Sequence, residues 1–267
     1  MLGRGHRFRS AEKVLKALAL DLKTRNLDAA IFSGDATALG FKEEMELAIR
    51  ILDLDSLKGL PGLAVPGNHD YCTHSSMASG DFEALFSRWQ VGKRVDEKPY
   101  PFARKIGDIW LIGVNSAMAN SSPWNATGKV GSAQLDRLKD LLDILDDGPR
   151  ILVTHYPVCL ANGRPERSVR ALKDLDQLLT VARQGKISLW LHGHRHNHYI
   201  ISPDSVVPFP VICAGSATQE KLWSYGEYTI SQGTIQINQR IYQPAQNRFI
   251  DQDPVTIPIP DHFNKNS

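Results

Sequence analysis

Four short apolar runs in this chain stop at polar side chains able to bind metal, and helical segments separate several of them. "LDAAIFSGD" ends at Asp35, "GLAVPGNHD" at Asn68, His69 and Asp70, "RILVTHYP" reaches His155, and "KISLWLHGHRH" closes on His194 and His196. Apolar runs this short, bounded by turn residues, read as buried strands. Between them, Ser10 to Arg25 sets Val14, Leu15, Leu18, Leu20 and Leu22 on a helical face, with Ser10 as N-cap. Phe41 to Leu54 reads as a second helix. A third is capped by Ser132 and carries Leu135, Leu138, Leu141, Leu142 and Leu145, and a fourth runs from Ser168 to Ala182. Alternating strand and helix dictate an α/β layered fold. From Val206 to Gln243 the pattern is strand and turn only, which adds a second sheet. The predicted architecture is two stacked mixed β-sheets with helices outside.

Smaller elements complete the reading. Asp81 to Trp89 reads as helical, and tight turns fall at Gly107-Asp108 and Gln232-Gly233. No repeat or linker divides the chain, so residues 1–243 are expected to form a single domain. Residues 244–267, rich in Pro, Asn and Asp, are expected to wrap the surface or fray.

Composition narrows the function classes. A net charge of +2 over 267 residues favours neither nucleic acid nor a membrane surface, and there is no basic stripe interleaved with aromatics. Cys72, Cys159 and Cys213 are odd in number and far apart, which argues against a disulfide framework or a zinc knuckle. No apolar run approaches the ~18 residues of a membrane span, and the start does not read as a signal peptide. A cytoplasmic protein is the expectation.

The strand ends carry the functional reading. In layered α/β folds the ligand crevice lies beyond the carboxyl ends of the strands. Carboxylate, amide oxygen and imidazole delivered to one edge make a mixed nitrogen and oxygen site suited to manganese, iron or zinc. Each element also has a plain structural reading: a Gly-Asp turn, an Asn-rich turn, a core histidine. The His-x-His pair is the strongest, because period-two spacing aims both rings the same way from an extended segment.

In that order and spacing, "SGD", "GNHD", "VTHYP" and "HGHRH" resemble the calcineurin-like metallophosphoesterases, and within them the bacterial branch that includes cyclic-nucleotide phosphodiesterases. The resemblance spans about Ser10 to Tyr242. It implies a four-layer sandwich, two mixed sheets flanked by helices, with two divalent metal ions (manganese, iron or zinc) at the sheet edge. By the same resemblance Asp35 bridges the metals, Asn68, His155 and His194 hold the second, and His196 belongs to the first. His69 would contact the phosphoryl group and protonate the leaving oxygen, with Asp70 orienting its ring. The implied chemistry is hydrolysis of a phosphodiester or phosphomonoester, with a nucleotide-like substrate possible, by a hydroxide shared between the metals. His192 is expected to be buried and His198 to sit on the rim.

One family motif is missing: the Asp-x-His at the end of the first strand, which supplies two ligands to the first metal. The chain opens with "MLGRGHRFRSAEKVL", already at the first helix, and His6 has no acidic neighbour to replace it. The fold is therefore expected to lack its first strand, through truncation or through real loss of a metal site. Truncation is favoured, because deleting a central strand leaves backbone unpaired on both neighbours. Two alternatives to the phosphoesterase stay open: a scaffold that kept the fold without catalysis, and a nuclease.

Overall fold

The computed structural model describes residues 5–52, 59–122, 124–231 and 233–260. Its larger sheet joins β3 (Phe102–Ile106), β4 (Ile109–Gly113), β5 (Arg150–Val153), β6 (Leu189–His192), β8 (Val211–Cys213) and β7 (Tyr199–Ile201), in that spatial order. The four inner strands run parallel, and β3 and β7 are antiparallel at the two edges. Helices α5 (Ser132–Asp143) and α6 (Leu175–Gln184) cross over between the parallel strands.

Period-two alternation assigns each side chain a layer. Ile112, Leu152 and Trp190 point to the helices, where they pack with Leu138, Leu141 and Leu178. Leu111, Ile151, Val153, Leu189 and Leu191 point the other way, against a second β layer.

That second layer is in two pieces among the described residues. β1 (Ala30–Phe32) pairs in parallel with β2 (Gly62–Ala64) and with no other strand. A four-stranded antiparallel sheet is built on the long β10 (Thr234–Gln243), flanked by β9 (Ser224–Ser231) on one side and by β11 (Arg248–Asp251) and β12 (Val255–Pro258) on the other. Every residue of β2 is buried, whereas all three residues of β1 are only half-buried. Outside this layer lie α1 (Ala11–Thr24), packed on Tyr242 and Phe249, and α2 (Lys42–Leu52), packed with Phe82 and Ala64. The result is the expected order of helix, sheet, sheet, helix.

Several sequence expectations are corrected. Residues beyond Gln243 do not merely wrap or fray: β11 and β12 pair with β10, and Ile257 and Ile259 enter the core between the sheets. The helix expected from Ser168 to Ala182 is a 3-10 turn at Ser168–Arg170 followed, after a break, by α6. Leu172 is drawn into a bridge with Gly128, and the Asp174 carboxylate accepts from the Val130 and Gly131 amides, so the intervening backbone cannot close helical bonds. Ser132 is the first residue of α5 rather than its cap; Gly131 precedes it at φ 85°. Ser10 does hold the N-cap position of α1, but its hydroxyl donates to Glu220 instead of capping the helix. Asp81 to Trp89 divides into α4 (Asp81–Leu85) and a 3-10 turn at Ser87–Trp89. Of the turn at Gln232-Gly233, Gln232 lies outside the described residues, while the pairing of Ser231 with Thr234 shows the hairpin.

Candidate metal centre

The loops leaving β1 and β2 are pressed together by their glycines. A Cβ on Gly34 would lie 2.4 Å from the Gly67 nitrogen, and one on Gly67 would lie 2.1 Å from an Asp35 carboxylate oxygen. Only hydrogen at both positions allows this approach. The Asp70 carboxylate then ties the loops, accepting from the Asp35 and Gly67 amides at 2.8 Å and from the Thr37 amide at 3.1 Å. Burial and the neighbouring Asp35 charge push its pKa up to about 7, against the pull of those three donors.

Asp70 therefore does not orient His69, as the sequence suggested. The Ala38 carbonyl does so, 2.8 Å from His69 Nδ1. The reason is supply and demand: three buried amides need an acceptor, and Asp70 is the group that satisfies them.

His155 follows β5 and is 1 % exposed. Its Nδ1 lies 2.7 Å from the Ser33 carbonyl, an acceptor, so the neutral ring carries its proton there and a lone pair at Nε2. That Nε2 lies 3.1 Å from Asn68 Oδ1, 3.5 Å from Asp35 Oδ2 and 3.3 Å from His194 Nδ1. His194 Nδ1 is 2.9 Å from the same Asn68 oxygen, and its ring stacks on Tyr156 with centroids 4.6 Å apart. Burial lowers the pKa of both histidines and His155 lowers that of His194 further, so both are held neutral, the form that donates to a metal.

Four of the five expected ligands thus meet, and their spacing is a test of fit. Two ligands each ~2.1 Å from one ion stand about 3.0–3.4 Å apart in octahedral or tetrahedral arrangement, close to the 2.9–3.5 Å seen here. Lone pairs facing one another in a buried space are costly unless a positive charge lies among them. Counting only His, Cys, Asp and Glu, no three side chains among the described residues gather into a group able to hold an ion. The cage closes when the Asn68 oxygen is counted with them. Its donors fit one divalent ion.

The fifth residue stands apart. His196 Nδ1 makes a short contact with Gln219 Oε1, and the Phe8 ring meets the imidazole edge-on with centroids 6.1 Å apart. No hydrogen bond of His196 reaches the other four, and the described residues do not fit a second ion. The side chain of His6 lies outside the described residues. His192 is fully buried as expected, its pKa lowered by burial to about 4, and the half-buried His198 is held by the Cys213 carbonyl.

Backbone strain falls on these residues. Asp35, His194 and His196 have φ of 67°, 65° and 45°, the left-handed region that non-glycine residues rarely enter. Such strain persists where the surroundings over-determine it, which is typical of functional sites.

A family model described as calcineurin-like phosphoesterase matches residues 4–198. The chain belongs to that family of phosphoric-ester hydrolases. Among solved structures, a purple acid phosphatase from yellow lupin (Lupinus luteus) seeds superposes with a TM-score of 0.65 at 13% identity, covering 94% of this chain and 50% of that one. GAP50, the anchor in the inner membrane complex of Plasmodium, gives 0.54 at 14% identity, covering 93% and 84%. At such identity these likenesses establish the fold, and the chain spans half the length of the lupin enzyme. No curated protein sequence matches the chain. Among the described residues no helix is long and apolar enough to cross a membrane.

Some participants carried no sequence signal. Gln219 and Ala38 act through an amide and a backbone carbonyl and belong to no motif, while Ser33 opens "SGD" but acts through its backbone carbonyl, which side-chain chemistry does not signal. Tyr156 was visible, being the residue next to His155 in "THYP".

Proposed function

We propose that this family member hydrolyses a phosphoester at a divalent cation held by Asp35, Asn68, His155 and His194. The observation that carries this reading is the meeting of four atoms able to ligate a metal, at ionic spacing. An ion bound there supplies Lewis-acid polarisation of a phosphoryl oxygen. The chain's own residues do the rest. Asp35 brings the negative charge that retains a cation, and the two imidazoles exclude harder ions and favour manganese, iron or zinc. His69, half-buried at the rim and fixed through Nδ1 by the Ala38 carbonyl, presents Nε2 as the position from which a proton passes to the leaving oxygen.

A second reading has its own observation. His196, the residue matched to the first metal, is committed to Gln219, which suits a phosphoesterase fold kept as a scaffold. One experiment separates the two. Metal content by mass spectrometry, with hydrolysis of bis(4-nitrophenyl) phosphate in manganese, iron or zinc, is expected to show a bound ion and turnover that His69→Ala abolishes. A protein without metal and silent with all three ions overturns the enzyme reading and leaves the scaffold.

A further inference from the structure

We infer that a cavity beside the metal centre takes a second phosphate group of the substrate, one that is bound but not hydrolysed. The inference rests on the phosphoesterase reading for its biological sense, though the cavity can be tested without it.

The cavity, 330 Å³, is lined by Leu160, Glu166, Arg167, Arg170 and Arg195. Its walls are the loop following β5, which also carries His155, and the loop following β6. Arg195 stands between His194 and His196, so its Cα is ~3.8 Å from each of theirs. Two of the four cage ligands, His155 and His194, stand on these same two loops, which places the cavity next to that side of the cage. Tyr199 fastens those loops together, donating its hydroxyl to the Cys159 carbonyl at 2.7 Å.

Charge gives the ligand class. Three arginines and one carboxylate line the cavity. Glu166, whose side chain is 4% exposed, pairs with Arg195 at 3.1 Å and accepts from the Arg167 amide at 2.8 Å. The carboxylate oxygen of that ion pair, Oε2, accepts no hydrogen bond, so charge alone holds Arg195 there. Among the described residues, the Arg167 and Arg170 side chains form no ion pair. The cavity thus carries two uncompensated positive charges, which matches a phosphate dianion. Guanidinium groups bind phosphate through paired N–H donors, and near-neutral surroundings do not compete for them. The volume falls at the low end of ligand pockets, which run from about 300 to 1,000 Å³. It suits one charged group and its linker rather than a whole nucleotide.

Inorganic pyrophosphate, titrated calorimetrically in the presence of a chelator and at low salt, reports the cavity without the metal. Wild-type protein is expected to bind it. The double variant Arg167→Gln/Arg170→Gln, altered only at exposed side chains, should lose at least ~10-fold in affinity, as two charge-assisted contacts are removed. Glu166→Gln, which releases Arg195, should bind more tightly. Equal binding by wild type and the double variant, or none by wild type, overturns the inference. In the activity arm, a nucleoside bisphosphate is compared with the matching monophosphate in manganese. The double variant should lower the kcat/KM ratio of the pair, chiefly through KM; an unchanged ratio counts against the cavity. If wild type cleaves neither substrate, bis(4-nitrophenyl) phosphate still decides the phosphoesterase reading and pyrophosphate binding decides the cavity.

Discussion

The two β layers meet the same site with different firmness. In the six-stranded sheet, β5 and β6 are hydrogen-bonded on both sides and enclosed by helices on one face and strands on the other, and they deliver His155 and His194. In the split layer, β1 pairs among the described residues with β2 alone and stays half-buried, yet it leads to Asp35. What fixes Asp35 is then not its strand but the loop behind it, stitched by Asp70 and allowed by Gly34 and Gly67. The same contrast runs through the imidazoles: His155 and His194 converge, while His196 turns to Gln219. A site can be held by a sheet or by buried backbone bonds between loops, and this chain uses both.

Three measurements can break or sharpen this contrast. The largest effect concerns the cage. Asn68→Ala should lower manganese affinity by more than the ~10–100-fold that loss of a mere outer partner costs, whereas His196→Ala should change it little. Equal losses in a metal titration would place His196 in the same cage and erase the difference between the imidazoles. Next comes packing. Leu152→Ala, in the continuous sheet, should cost ~2–5 kcal/mol in urea unfolding, and Ile31→Ala, half-exposed already, about 1 kcal/mol. Comparable losses would show the split layer to be as well braced as the other.

The smallest effect is pH-dependent and lies in the four-stranded sheet. Hydrogen bonds from Asn238 and then Arg240 hold the Asp251 pKa below its ordinary value. A depressed carboxyl stabilises the fold above its unfolded pKa, and that contribution disappears as pH falls through the lower folded value. Asp251→Asn should therefore flatten stability below about pH 4, by less than ~1 kcal/mol because the side chain is well solvated. An unchanged acid limb in thermal unfolding would remove Asp251 from the account.

The fold was legible where local pattern and long-range structure agree. Strand ends at Asp35, Asn68, His155 and His194 could be read because an apolar run followed by a turn means the same thing locally and in the sheet. The late start of α6 could not, since it depends on the bridge from Leu172 to Gly128, more than forty positions away. β11 and β12 were hidden for a similar reason: four-residue strands among Pro and Asn gain their stability from β10, not from themselves. In the site, the family resemblance assigned Asp70 to His69, but backbone amides of two loops compete for the carboxylate. Gln219 reaches His196 across a gap that no spacing rule covers.

The left-handed backbone at Asp35, His194 and His196 has an evolutionary side. Glycine would sit there at ease, and on the proposed reading the replacements that relax the chain at Asp35 and His194 are also those that disarm it. A laboratory lineage rewarded for surviving heat, and for nothing else, should drift toward glycine at those two places and fall silent as it hardens.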